Sequence, residues 1–115
     1  MSTDPTVTNP GLYSVVMENE RVRVLEYHDR PGDRTTPHHH PDSVMVTLSG
    51  FRRRLIDGDR SADVELEPGL VRWLGEQSHA GENTGDTDTR VIFVELKEPA
   101  AATTTREAEL GPTTG

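Results

Sequence analysis

Four of the chain's five histidines stand at two places, His38-His39-His40 and His79. In an extended segment successive side chains alternate between faces, so His38 and His40 share one face and His39 takes the other. Two imidazoles at neighbouring same-face positions can hold one ion at the usual nitrogen–metal distance of ~2.0–2.1 Å. A third ligand has to come from a different strand, and His79 is the remaining histidine suited to the role; His28 has no partner histidine nearby and reads as exposed. The expected cofactor is therefore one divalent metal ion on His38, His40 and His79. Imidazole serves iron, manganese, nickel, zinc and copper alike, so ligand type leaves the metal open. The plainer alternative is a solvated turn, since Pro37 and Pro41 flank the histidine run.

Other residues carry weaker signals. Glu95 lies inside the apolar segment RVIFVEL. It is a candidate general base, or a partner standing behind a metal ligand; the alternative is a strand-end residue reaching water. Glu26 reads as surface. Trp73 is the only tryptophan, a pocket wall or, more simply, a core or rim residue. Tyr27 and Phe93 read as core. Arg52 and Arg54 share a strand face that either meets an anionic substrate or is simply solvated. His38-x-His40-x-Asp42 echoes the H-x-H-x-D-H of metallo-β-lactamase-type hydrolases, but Ser43 stands where the last histidine belongs.

The elements that must position these residues are strands. Apolar and charged residues nearly alternate over Arg21 to Tyr27, a period of two. Val44 to Leu48, Phe51 to Ile56, Ala62 to Leu66, Val71 to Leu74 and Arg90 to Leu96 also read as strands, and Asp57-Gly58 marks a hairpin. Pro31-Gly32-Asp33, Ser49-Gly50, Pro68-Gly69 and the run from Asn83 to Asp86 supply turns. Many short strands divided by Gly/Pro turns predict an all-β sandwich or closed barrel. The one helix candidate is Thr104 to Leu110, with Thr104 as cap and Glu107 three residues on.

The chain has 115 residues, enough for one domain, and only 31% of them are hydrophobic. Its opening MSTDPTVTNP and its closing PAAATTTREAELGPTTG hold little that could form a core. The expected division is an N-terminal arm over 1–10, a domain over 11–98 and a tail over 99–115, with both ends contributing little to stability. Net charge is −8. An acidic surface repels phosphate, which argues against a nucleic-acid partner and against an anionic membrane. No apolar run approaches the ~20 residues of a membrane-spanning helix. The N-terminus lacks a signal-peptide pattern, so the cytoplasm is the default expectation. With no cysteine, disulfides, thiolate nucleophiles and Cys-ligated metals are excluded.

From Gly32 to His40 the chain has Gly, five residues, then H-x-H, with Gly50 closing the segment one residue early. Pro68-Gly69 then precedes His79, and Asn83 stands four positions after that histidine. Both patterns, in this order, resemble the two motifs of the cupin superfamily, over roughly Glu18 to Glu98. The resemblance implies a double-stranded β-helix, or jelly-roll, barrel with the metal inside its mouth. Asn83 would then serve the local turn. Many cupins place a fourth ligand, commonly Glu, where Val44 or Met45 stands here; parity counted from His40 puts Val44 on the metal-facing side. The chain therefore resembles the three-histidine cupins, which include thiol and β-diketone dioxygenases. Three neutral ligands leave the ion its full charge and open positions, suited to a small anionic, chelating molecule. The expected function is a metal-dependent oxygenase, isomerase or lyase, with a non-catalytic binding or sensing cupin as the alternative. A homodimer is expected, since closing sheet edges favours pairing.

Overall fold

The structure, a computed structural model, describes residues 3–98. The helix expected over 104–110, like the rest of the tail over 99–115, lies outside these residues. Nine strands follow one helical turn, α1 (Pro5–Thr8): β1 (Tyr13–Glu18), β2 (Val22–Asp29), β3 (His38–His40), β4 (Ser43–Thr47), β5 (Phe51–Asp57), β6 (Arg60–Leu66), β7 (Val71–Leu74), β8 (Gln77–Asn83) and β9 (Thr89–Leu96). They form two antiparallel sheets, a five-stranded one in the order β1-β2-β9-β4-β7 and a four-stranded one in the order β3-β8-β5-β6. This is the all-β double-stranded β-helix expected from the sequence.

Alternation decides what faces inward. On β9, Thr89, Val91, Phe93 and Glu95 are buried and the residues between them are not. On β5, Phe51 and Arg53 are buried while Arg52 and Arg54 are exposed. The β5–β6 hairpin turns where Asp57-Gly58 predicts it, with Gly58 at φ +64°, the left-handed region that glycine enters freely. Two strands escape the sequence pattern. β1 exposes most of its residues and carries an irregularity between Val15 and Met17. The inward residues of β8 include His79, Gly81 and Asn83, so no apolar alternation marks it.

The buried apolar core is small: Tyr13, Leu25, Tyr27, Phe51, Val91 and Phe93, with Leu12, Met45, Leu66 and Leu74 packed against it. Among the described residues, eleven polar or charged ones are buried beside those six. Low apolar content thus reflects the barrel interior as well as the ends.

The N-terminal residues depart from the expected arm. Asp4 caps α1 by accepting from the Thr6 N–H at 2.8 Å. Asn9 is buried and accepts from the Thr36 N–H at 2.8 Å, while its own amide donates to the Thr36 carbonyl at 3.3 Å. The His39 N–H donates to the Thr3 carbonyl at 2.8 Å. Polar composition concealed this, because the segment docks through hydrogen bonds to the run leading into β3 rather than through an apolar face. Asn9→Ala removes that clamp and leaves the Thr36 N–H without its partner. The expected loss is about 1–3 kcal/mol, read as a lower urea midpoint; an unchanged midpoint would return residues 3–9 to the status of a passive arm.

Candidate metal centre

β3 and β8 pair antiparallel with His38 opposite His79, His39 opposite Ser78 and His40 opposite Gln77. The ring centroids of His38, His40 and His79 stand 4.7 to 5.0 Å apart. Among the described residues, these three offer ligand atoms lying within 4.8 Å of one another. Two nitrogens on one ion stand at most ~4.2 Å apart at ordinary bond lengths, so the triangle is close to the required size. His39 points away, as expected, with its ring nitrogens 2.8 Å from Ser78 Oγ and 3.1 Å from Glu76 Oε2.

Hydrogen bonding decides which nitrogen each ring offers. His38 Nδ1 lies 2.8 Å from the Thr36 carbonyl, which can only accept, so Nδ1 carries the proton and Nε2 keeps its lone pair. His79 Nδ1 likewise donates to Gln77 Oε1 at 2.8 Å, and Gln77 is oriented by its own amide donating to the Gly75 carbonyl at 3.0 Å. Both rings are thus held by the type of outer hydrogen bond that fixes metal-binding histidines. Tyr13 Oη lies 3.3 Å from His38 Nε2 and has that lone pair to donate to. His40 is stacked on Phe93, with ring centroids 5.1 Å apart, and its Nδ1 is buried with no protein partner. The site fits a divalent ion: three neutral nitrogen donors converge within the reach of one cation.

Burial sets the charge state. It lowers the His40 pKa to about 3, with the neighbouring His38 and His79 adding to the effect. It lowers His79 to about 4, helped by His38 and Arg53, and it lowers His38, helped by Arg53. Burial pushes the Tyr13 phenol well above its usual range, so Tyr13 remains a neutral donor.

The histidines line a cavity of 260 Å³ between the sheets. Its walls include Met45, Phe51, Leu66, Leu74 and Val91, with Tyr13 beside the histidines. Arg53 also lines it and was not singled out from sequence, although its position between Phe51 and Leu55 on one strand face is a readable signal. Arg53 donates to Asp29 Oδ2 at 2.6 Å, to Thr89 Oγ1 at 3.1 Å and to Tyr27 Oη at 3.1 Å. A Cβ at residue 81 would lie 3.0 Å from Arg53 Nη2, so glycine there makes room for the guanidinium. Asn83 holds the same group by donating to Asp29 Oδ1 at 3.0 Å, and serves its turn by accepting from the Gly85 N–H at 3.0 Å.

Several sequence expectations change here. Val44 does not line the cavity; Met45 does. Parity fails because the chain leaves the four-stranded sheet after His40 and joins the five-stranded sheet at Ser43, so the count restarts across Pro41-Asp42. Trp73 pairs with Val44 on the outward face and is 59% exposed, so it is neither wall nor core. Glu95 is buried, but it belongs to a separate polar cleft with Asp4 and Arg23 and is absent from the cavity wall. A general base needs hydrogen-bond reach of its substrate, and Glu95 lacks access to this cavity. Arg52 and Arg54 are exposed and face Glu65 and Asp63, a solvated strand face. His28 is exposed and meets Asp88 at 3.0 Å. Asp42 accepts from the Glu76 N–H at 2.8 Å, a loop contact.

The lowered histidine pKa values have a stability consequence in metal-free protein. Above about pH 6.5 the imidazoles are neutral whether the chain is folded or unfolded. As pH falls below that, the unfolded chain takes up protons that the folded cluster refuses, so stability drops until the folded values near 4 and 3 are reached. The expected slope is about 1.4 kcal/mol per pH unit for each histidine held neutral. Urea midpoints of metal-free protein should decline steadily from pH 6.5 to 4, and less steeply in His40→Gln; a flat native profile would contradict the buried neutral cluster.

No protein-family model matches the chain, and no curated protein matches it. Solved structures do. A polyketide cyclase, RemF from Streptomyces resistomycificus, is 19% identical over 73% of this chain and 63% of that one, with a TM-score of 0.57. A double-stranded β-helix protein from Klebsiella pneumoniae is 22% identical over 74% of this chain and 75% of that one, with a TM-score of 0.59. At such identities the likeness speaks for the fold alone. A cupin domain from Bordetella pertussis Tohama I is 30% identical over 75% of this chain and 92% of that one, with a TM-score of 0.70. With nearly all of that domain matched, and with the barrel and both histidine strands where its motifs imply them, this chain belongs to the cupin superfamily.

Proposed function

We propose that this cupin holds one divalent metal ion on the Nε2 atoms of His38, His40 and His79 and acts as an enzyme on a small anionic organic molecule. The observation that carries the reading is the convergence of three neutral imidazoles, two with Nδ1–H tied to fixed acceptors, on a cavity with apolar walls. Bound there, the ion would supply Lewis-acid chemistry or, if iron or copper, redox chemistry. The protein's own groups do the rest. At 260 Å³ the cavity falls below the ~300–1,000 Å³ of drug-sized sites, which selects a small ligand. Arg53 places a guanidinium in the wall, partly balanced by Asp29, and so favours a negatively charged ligand. Apolar side chains exclude water around the ligand and strengthen that attraction. Tyr13, a buried neutral hydroxyl beside His38 Nε2, is placed to donate a hydrogen bond to an oxygen of the ligand. The cyclase RemF has this fold, so ring-forming chemistry joins oxygenase, isomerase and lyase reactions among those to be screened.

Metal analysis tests the site first. Native protein should retain one ion per chain after loading and dialysis. His79→Ala should retain none, since two imidazoles seldom hold an ion tightly, and His39→Ala should match native protein. Equal loss in both variants would overturn the assignment. Activity is then sought with iron, manganese, nickel, zinc and copper forms against diketones, thiols and hydroxy acids with oxygen monitored. Turnover with iron and oxygen uptake selects a dioxygenase, and turnover with zinc or manganese without uptake selects an isomerase, lyase or cyclase. Ligand binding with no turnover in any form gives the protein to the non-catalytic binding reading.

Met45 offers a second check. A carboxylate at that position enters the cavity that the histidines line. Met45→Glu should raise metal retention and slow any turnover by filling an open position. Val44→Glu, on the outward face beside Trp73, should leave metal retention unchanged. The reverse pattern would restore the simple strand count.

A further inference from the structure

Two buried side-chain atoms among the described residues have no hydrogen-bond partner, His40 Nδ1 and Glu95 Oε2. They are complementary. If His40 offers Nε2 to the ion, its Nδ1 bears a proton and needs an acceptor, and Glu95 Oε2 is an acceptor that needs a donor. They belong to the same corner of the barrel. Phe93, two residues before Glu95 on the inward face of β9, stacks on the His40 ring. Ser43, three residues after His40, is the register partner of Glu95. Glu95 also lines one cleft with His39 and Pro41, the residues on either side of His40.

We propose that Glu95 Oε2 is the acceptor for His40 Nδ1–H, which makes Glu95 a positioning residue for the metal centre; this rests on the metal reading given above. Its other oxygen is engaged, since Arg23 Nε donates to Glu95 Oε1 at 2.7 Å and Arg23 Nη1 lies 2.8 Å from Asp4 Oδ2. The chain Asp4–Arg23–Glu95–His40 therefore runs from the N-terminal turn to the ligand cluster. It aims the His40 ring and makes its Nε2 a stronger donor. It also brings to the ion, through one imidazole, negative charge of the kind that a fourth carboxylate ligand would supply directly. The binding of residues 3–9 against the barrel and the affinity for metal are coupled through this chain.

Zinc affinity by chelator competition and ¹⁵N spectra of the His40 ring test the pairing. Glu95→Gln preserves shape and removes charge, and it should weaken zinc binding about 10- to 100-fold with the fold intact by circular dichroism. In metal-free native protein the His40 Nδ1 proton should be present, slow to exchange and shifted downfield by its charged acceptor, and Glu95→Gln should move it upfield. A folded variant that binds zinc within about twofold of native and leaves the proton unmoved overturns the proposal. If native protein retains no zinc but the proton behaves as expected, the metal reading falls and the pairing stands. If native protein binds zinc and the proton is indifferent to Glu95, the pairing falls and the metal reading stands. Should the variant fail to fold, the native spectrum decides alone, because a rapidly exchanging or absent His40 Nδ1 proton excludes the acceptor.

Discussion

The pairing of β3 with β8 is only three residues long, yet it sets His38 opposite His79 and turns His40 into the same interior. A slip of one residue would send His38 and His40 outward and bring His39 in. So short a ladder needs pins on both sides. Upstream, the Thr35 N–H donates to the Gly81 carbonyl at 2.9 Å and Gly81 N–H returns a bond to Thr35 Oγ1 at 2.8 Å. Downstream, Asp42 takes the Glu76 N–H at 2.8 Å. The N-terminal residues add a third pin through the His39 N–H and Thr36. The site, the turn at Asn83 and the docking of α1 all depend on that register.

An interior holding more polar than apolar buried residues must pair its polar groups, because each unpaired one costs free energy. The barrel does so with local networks. Asp29 and Arg53 sit face to face with Tyr27, Thr89 and Asn83 around them, and this group forms part of the cavity wall. Arg23 joins Glu95 to Asp4 elsewhere in the interior and at the adjoining cleft. Buried pairs of this kind add little net stability compared with apolar packing, but losing one partner strands the other. They are better understood as fixing where charge stands near the histidines.

That placement shapes the chemistry open to the cluster. The three imidazoles are kept neutral by burial, and His38 and His79 are held by acceptors behind them, so the cluster's free nitrogens converge on a common point. Arg53 lowers the proton affinity of His38 and His79 from the cavity side. A cation at the common point and an anion beside Arg53 complement this field. The apolar walls supply the water exclusion that makes such attractions strong.

Read alone, the residues determined the all-β class, most strand positions, the β5–β6 hairpin and the three histidines of the cluster. They could do so because side-chain alternation, turn residues and H-x-H spacing are local properties, written within a few positions of one another. The two cupin motifs were local in the same sense. What only the tertiary structure decided depends on contacts between distant segments. Arg53 became part of the cavity wall because β5 packs across the barrel from β2 and β9, where Asp29 and Thr89 meet it. Met45 replaced Val44 because the chain changes sheets between two strands, which no count along one strand can register. Glu95 left the cavity wall for a cleft with Arg23 and Asp4, and residues 3–9 were tied to the barrel, because Arg23 and Thr36 reach them from elsewhere in the chain. Long-range partners set these roles, and a sequence lists its residues without saying which of them will meet.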